Sequence, residues 1–116
     1  MDELKELQIK LAEFAEERDW PQFHSPKNLS MALSIEASEL MELFLWETTE
    51  ESFHVKNHAA ASLKEELADV FLYLLRLSSI LEIDLIEAAS EKIKINSEKY
   101  PVNLSKGNHK KYTQIH

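Results

Sequence analysis

Residues 28–46 read NLSMALSIEASELMELFLW, and residues 63–81 read LKEELADVFLYLLRLSSIL. Both stretches have the apolar spacing of helices. Advancing about 100° per residue gathers Leu29, Leu33, Leu40 and Leu43 on one side of the first helix, with Glu36 among them and Glu39 on the edge. An unpaired carboxylate on a face that a helix should bury is costly, so it protonates, pairs with a cation or binds a metal. In the second stretch Glu66 and Asp69 repeat the i,i+3 spacing, with Tyr73 one turn further on the same sector. The two helices together write E-x-x-E and E-x-x-D, four acids aimed into a helical protein. With no Cys and no suitably placed His, an all-oxygen cage of this kind favours Mg²⁺ or Mn²⁺ over Zn²⁺.

The rest of the chain reads as helix too. One Gly and three Pro in 116 residues exclude a turn-rich β fold, and 44% hydrophobic residues suit one globular domain. Leu4 to Asp19 is amphipathic, with Leu7, Leu11, Phe14 and Ala15 on one stripe. Residues 20–26, WPQFHSP, break the period with two prolines and form a defined loop. Ser25 is placed to cap the second helix, which runs from Pro26 or Lys27 to Trp46. Residues 47–57 read as a polar loop. The third helix is expected over 58–81, with Leu63, Leu67, Val70, Leu74, Leu77 and Leu81 on its main apolar side. Asp84 and Glu87 look like a capping box opening a fourth helix that ends near Lys99, before Pro101. From Val102 the chain is expected to be an irregular tail. Residues 1–101 are therefore expected as one helical domain and 102–116 as its irregular tail.

Composition bounds the function. The absence of cysteine excludes disulfides, thiolate metal sites and Cys nucleophiles. No run approaches the roughly 20 apolar residues of a bilayer span, and the N-terminus lacks the basic and apolar regions of a signal peptide, so no membrane partner is expected and the cytoplasm is the expected compartment. A net charge of −8 argues against nucleic acid as the main partner. A di-iron bundle would need Glu-x-x-His on core helices, and the one such match, Glu51–His54, falls in the polar loop. His54 and His58 lack the Glu of a zinc-protease motif. Walker loop, nucleophile elbow and dinucleotide fingerprint are all missing, and a single Gly cannot build a glycine cradle for phosphates. Trp20, Phe23, His24, Trp46 and Tyr73 would each serve core packing or loop anchoring; as a set beside a metal cage they suit a stacked nucleobase. Lys92 and Asn96, four apart on the fourth helix, read as solvated side chains or, if that helix lines the cleft, as phosphate ligands.

These residues carry a resemblance. Residues 14–20 (FAEERDW), 22–24 (QFH) and 27–29 (KNL) are followed by Glu36-x-x-Glu39-Leu40, Trp46, Glu65-Glu66-Leu67-x-Asp69-Val70 and Tyr73-Leu74. Asp84-Leu85, Lys92, Asn96, Tyr100-Pro101 and residues 111–113 (KYT) complete the pattern. It resembles the all-α, MazG-like nucleoside triphosphate pyrophosphohydrolases over nearly the whole chain, and the R-D-W-x-Q-F-H segment is similar to the dCTP pyrophosphatase branch. The resemblance implies an all-α, four-helix-bundle-like fold working as a homodimer or homotetramer. It implies Mg²⁺-dependent hydrolysis of a dNTP to its monophosphate and pyrophosphate, dCTP or a modified dCTP first. The metal and catalytic acids would be Glu36, Glu39, Glu66 and Asp69. Trp20, His24, Trp46 and Tyr73 would surround the base, and Lys92 and Asn96 would meet the phosphates. The rivals are a relative that prefers another dNTP such as dUTP, and an inactive bundle that only binds nucleotide or dimerises.

Overall fold

The computed structural model describes residues 2–115, and every regular element among them is helical. The order is α1 (Glu3–Glu17), a 3₁₀ turn (Pro21–Phe23), α2 (Pro26–Glu42), α3 (Thr49–Ser52), α4 (Lys56–Ile80), α5 (Leu85–Lys99), α6 (Val102–Ser105) and α7 (Tyr112–Ile115). The chain divides into two units, Met1–Glu82 and Ile83–His116.

In the first unit α4 is the central helix, packed mainly on α2 and also on α1. Ala15, Leu29, Val55 and Leu75 form the fully buried apolar core. Gln8 on α1 donates from Nε2 to Ser79 Oγ on α4 at 3.1 Å, a polar tie beside that core. The sequence puts Leu67, Leu74 and Leu81 on the main apolar side of α4, yet in the single chain they are 52, 40 and 46% exposed. The sector that is buried carries Leu75, one residue and so about 100° further round than Leu74, together with Arg76 and Ser78. Leu63, Val70 and Leu77 of the leucine side are half-buried, so the packing of α4 on α2 and α1 covers that side only in part.

Two boundaries differ from the pattern reading. The second helix stops at Glu42 rather than Trp46, because the N–H groups of Leu43, Phe44 and Leu45 turn to carbonyls three residues back and tighten the chain out of the α-helix. Within the expected polar loop, Thr48 and Glu51 form a reciprocal capping box that opens α3. Hydrogen bonding to its carboxylate, from the Thr48 backbone N–H first and then from the Thr48 side chain, holds Glu51 below its usual range.

In the second unit Asp84 Oδ1 accepts from Glu87 N–H at 3.0 Å, the N-cap half of the expected box. The tail is more ordered than its composition implies. The carbonyl of Pro101 accepts from Leu104 and Ser105 to start α6, Gly107 supplies the left-handed φ of 82° that turns the chain, and the Tyr112 ring of α7 meets that of Tyr100 edge-on at 6.2 Å. Lys92 and Asn96 lie in this unit, both exposed on α5.

Candidate metal centre and base cavity

Each site residue is set by local chain chemistry. At the end of α1, Asp19 adopts φ 54°, while Trp20 N–H bonds Ala15 O at 2.9 Å and Asp19 N–H bonds Glu16 O at 3.0 Å. This is a Schellman closure with Asp in the left-handed position that Gly usually fills. Gln22 Nε2 holds Asp19 through its carbonyl (2.9 Å) and its carboxylate (3.0 Å). The closure turns Trp20 back over α1, where its ring meets Phe14 edge-on at 5.6 Å and His24 at 6.2 Å. Ser25 then caps α2 through Asn28 N–H, Pro26 fills the first helical position, and Asn28 Nδ2 donates to Phe23 O at 3.0 Å. The segment from Arg18 to Asn28 is thus a rigid brace for Trp20 and His24.

Across the α2–α4 contact one carboxylate oxygen from each of Glu36, Glu39 and Glu66 lies within 4.8 Å of the others. Asp69 stands outside this triad but near enough that its charge raises the affinity of both Glu36 and Glu66 for a proton. The Glu36 carboxyl is pushed up to about 7, by burial first and then by Glu39, Asp69 and Glu66. Glu66 is raised as well, again chiefly by burial and then by the charge of Glu39. Oε2 of Glu36 and Oε2 of Glu66 are shut off from solvent and accept no hydrogen bond. No Lys, Arg or His among the described residues pairs with any of the four acids. Crowded, orphaned, hard oxygen donors fit a divalent cation, which would satisfy both buried oxygens and remove the mutual repulsion.

Asp69 also lines a cavity of about 210 Å³. Leu11, Phe14, Ala15, Leu29 and Leu72 make its apolar wall; Trp20, His24 and Tyr73 supply rings; Asp69 and Arg76 supply charge. It is smaller than the roughly 300–1,000 Å³ of pockets that enclose drug-sized ligands, so it suits one flat ring rather than a whole nucleotide. Arg76 is 8% exposed, and its Nε donates to His24 Nδ1 at 3.2 Å. Burial, and then the neighbouring guanidinium, hold the His24 imidazole below its ordinary pKa. The ring is therefore neutral, with its proton on Nε2.

Of the residues that the sequence singles out, Trp20, His24, Asp69 and Tyr73 meet at this cavity, and Glu36, Glu39 and Glu66 gather at the acids. Trp46 is not among the cavity walls; it stands 91% exposed in the turn after α2. Arg76 was not singled out. Its signal was its place three residues after Tyr73 and seven after Asp69, on one helical sector.

Comparison with known proteins is consistent with this geometry. Residues 31–115 match the model of the MazG-like family. dCTP pyrophosphatase 1 of Rattus norvegicus is 44% identical over 116 residues, which take in 97% of this chain and 67% of that protein. The Homo sapiens protein of the same name is 42% identical over the same shares. Among solved structures, a pyrophosphatase from Archaeoglobus fulgidus DSM 4304 superposes with a TM-score of 0.83 at 41% identity, over 87% of this chain and 94% of its own. Likeness of sequence and of backbone over nearly the same length has one explanation, common descent, and the chain belongs to the MazG-like family.

Proposed function

We propose that this nucleotide pyrophosphohydrolase hydrolyses dCTP, or a dCTP modified on its base, to the monophosphate and pyrophosphate, and so clears the nucleotide pool of the cytoplasm. The observation that carries the reading is the juxtaposition at Asp69, whose charge acts on an acid triad with two orphaned oxygens and whose side chain lines a ring-walled cavity. Residues 1–101 are taken as the catalytic domain and 102–116 as its tail.

Glu36, Glu39, Glu66 and Asp69 would hold Mg²⁺, with Mn²⁺ as a substitute. The cation would supply charge neutralisation of the triphosphate and of the pyrophosphate that leaves. The chain's own part is positional. Trp20 and Tyr73 flank the base, His24 offers its Nε2–H, and the apolar wall keeps water from the ring. Fixing the base there sets the α-phosphorus near the acids for in-line attack by water. The chain would act as a homodimer or homotetramer. Supporting this, Met31, Ile35 and Met41 on α2 are 55–59% exposed, and Leu67 and Leu74 on α4 are also open; apolar faces of this kind mark association surfaces.

The test is pyrophosphate release from a panel of dNTPs with and without Mg²⁺. Release from dCTP ahead of the others, abolished by chelation, is expected. Nucleotide binding without any release would overturn the enzymatic reading, and preference for dUTP would overturn the base assignment.

A further inference from the structure

Arg76 is a buried cation with too few partners. It is 8% exposed, its one hydrogen bond among the described residues is the Nε–His24 contact, and no carboxylate lies within 4.0 Å of it. A guanidinium carries five N–H donors and no acceptor. With Nε committed to His24, the Nη1 and Nη2 donors remain, at the wall of a cavity whose other walls are mostly rings and aliphatic groups. Neither Nη atom is among the solvent-shut polar atoms that lack a partner, so both open onto this cavity. A group kept in that state at a cavity is one whose acceptors arrive with the ligand.

We propose that Arg76 is the specificity-determining residue for the base, its terminal N–H groups donating to the adjacent N3 and O2 acceptors of cytosine. The inference rests on the reading of this cavity as the base site. Cytosine presents two neighbouring acceptors there, whereas uracil and thymine carry a hydrogen on N3, which would point at a donor. The match follows from donor and acceptor pattern alone, as in the forked contact of Arg with two acceptors on one base edge. The His24 contact contributes orientation: a neutral imidazole accepting at Nδ1 fixes the guanidinium plane by its Nε edge and leaves the outer edge toward the cavity. A phosphate is the other acceptor that Arg commonly meets, but of the acids that would carry the cations for the triphosphate only Asp69 lines this cavity, and a cavity of about 210 Å³ walled by Trp20, Tyr73 and Leu72 suits a ring.

The experiment is equilibrium binding, by calorimetry, of dCMP, dUMP, dGMP, 3-deaza-dCMP and the free nucleosides deoxycytidine and deoxyuridine to the full chain with Mg²⁺. Wild type, Arg76→Lys and Arg76→Met are compared. In the wild type, replacing N3 by CH in the 3-deaza analogue is expected to weaken binding by roughly 5- to 150-fold, the span of one good base contact. Arg76→Met should bind dCMP, 3-deaza-dCMP and dUMP nearly alike, and Arg76→Lys should lose most of the preference. Equal binding of dCMP and 3-deaza-dCMP by the wild type overturns the proposal even if neither variant folds. So does an Arg76-dependent preference for dGMP. A loss on Arg76 substitution that is equal for dCMP and dUMP and missing for the nucleosides shows a phosphate ligand and overturns it too. Failure of the wild type to release pyrophosphate from any dNTP defeats the proposed activity and leaves this binding series to decide the base contact on its own.

Discussion

Helix α4 carries two unmet electrostatic demands of opposite sign. On its middle turns Glu66 and Asp69 join Glu36 and Glu39 of α2, and two turns further on Arg76 is buried; among the described residues no cation pairs with the acids and no carboxylate with the arginine. Asp69 and Arg76 are seven residues apart, so they share a sector but sit about 10 Å apart along the axis. Had the arginine stood four residues from an acid, the two would have neutralised each other as an ordinary helix pair. Two full turns of separation prevent that. The acids are left to be completed by metal ions, the arginine by hydrogen-bond acceptors, and a nucleotide with its cations brings both. The cavity between them is walled by Tyr73 and Leu72, side chains that satisfy neither charge.

The largest effect expected is at the acids. Glu36→Ala or Asp69→Ala should reduce Mg²⁺-dependent pyrophosphate release to the background rate, with a far-ultraviolet circular dichroism spectrum that stays helical. The same variants should lose the rise in Tm that Mg²⁺ gives the wild type, a ligand effect of about 2.7 kcal/mol at a hundred times Kd. Retained turnover in either variant would mean that the crowded carboxylates are not the metal site, and the contrast between acids and arginine would reduce to a difference in packing.

At the arginine's cavity the expected loss is smaller. Stacking of a base on an aromatic side chain is worth about 1–3 kcal/mol, so Trp20→Ala should raise KM for dCTP in proportion while changing kcat less. Trp46→Ala, which removes a side chain that is 91% exposed in the single chain, should raise KM less than Trp20→Ala does. Equal effects would show that Trp46 also lies against the base in the working assembly. Lys92→Ala and Asn96→Ala, assigned to the phosphates by resemblance, should weaken dCTP more than deoxycytidine. Equal losses for both ligands would withdraw that assignment.

What was readable in the sequence divides along the same line. The acids were legible because a charge flanked by Leu33 and Leu40 contradicts the helix period, and the contradiction needs no tertiary information. The caps at Ser25 and Asp84 were legible because they depend on residues three apart. The end of α2 was not, since the switch to bonds three residues back at Leu43–Leu45 leaves little trace in composition. Nor was the closure that aims Trp20, because its left-handed residue is Asp19 rather than Gly. Arg76 was hidden for a different reason. An arginine in a helix reads as solvated until α1 and the Trp20 brace are known to cover it, and those are contacts across more than fifty residues of chain. The leucine stripe of α4 misled in the opposite sense: its period is helical, but the period does not say whether the chain itself covers it.

The smallest effect tests the acids without any substrate. Burial and neighbouring charge raise the Glu36 carboxyl from 4.5 to about 7 in the folded chain. Between those values the unfolded chain has released a proton that the folded, metal-free protein still holds. Stability changes with pH as the number of protons bound in the unfolded state minus the number in the folded state. That difference is negative here, so Glu36 stabilises the metal-free fold fully below pH 4.5 and loses this contribution as pH rises to about 7. The effect is modest because the side chain is half-buried and solvent screens it. Other groups titrate in the same range, so the useful quantity is the difference in Tm between wild type and Glu36→Gln in chelator. Glutamine keeps the shape of the neutral acid and does not ionise. The variant should gain on the wild type steadily from pH 5 to pH 7.5, then hold its lead. Saturating Mg²⁺ should reverse the order, because the cation replaces the proton and only the wild type offers it a full carboxylate. A Tm difference that stays flat across this range in chelator would mean that the Glu36 oxygen is not crowded, and the acids would then have no unmet demand to set against Arg76.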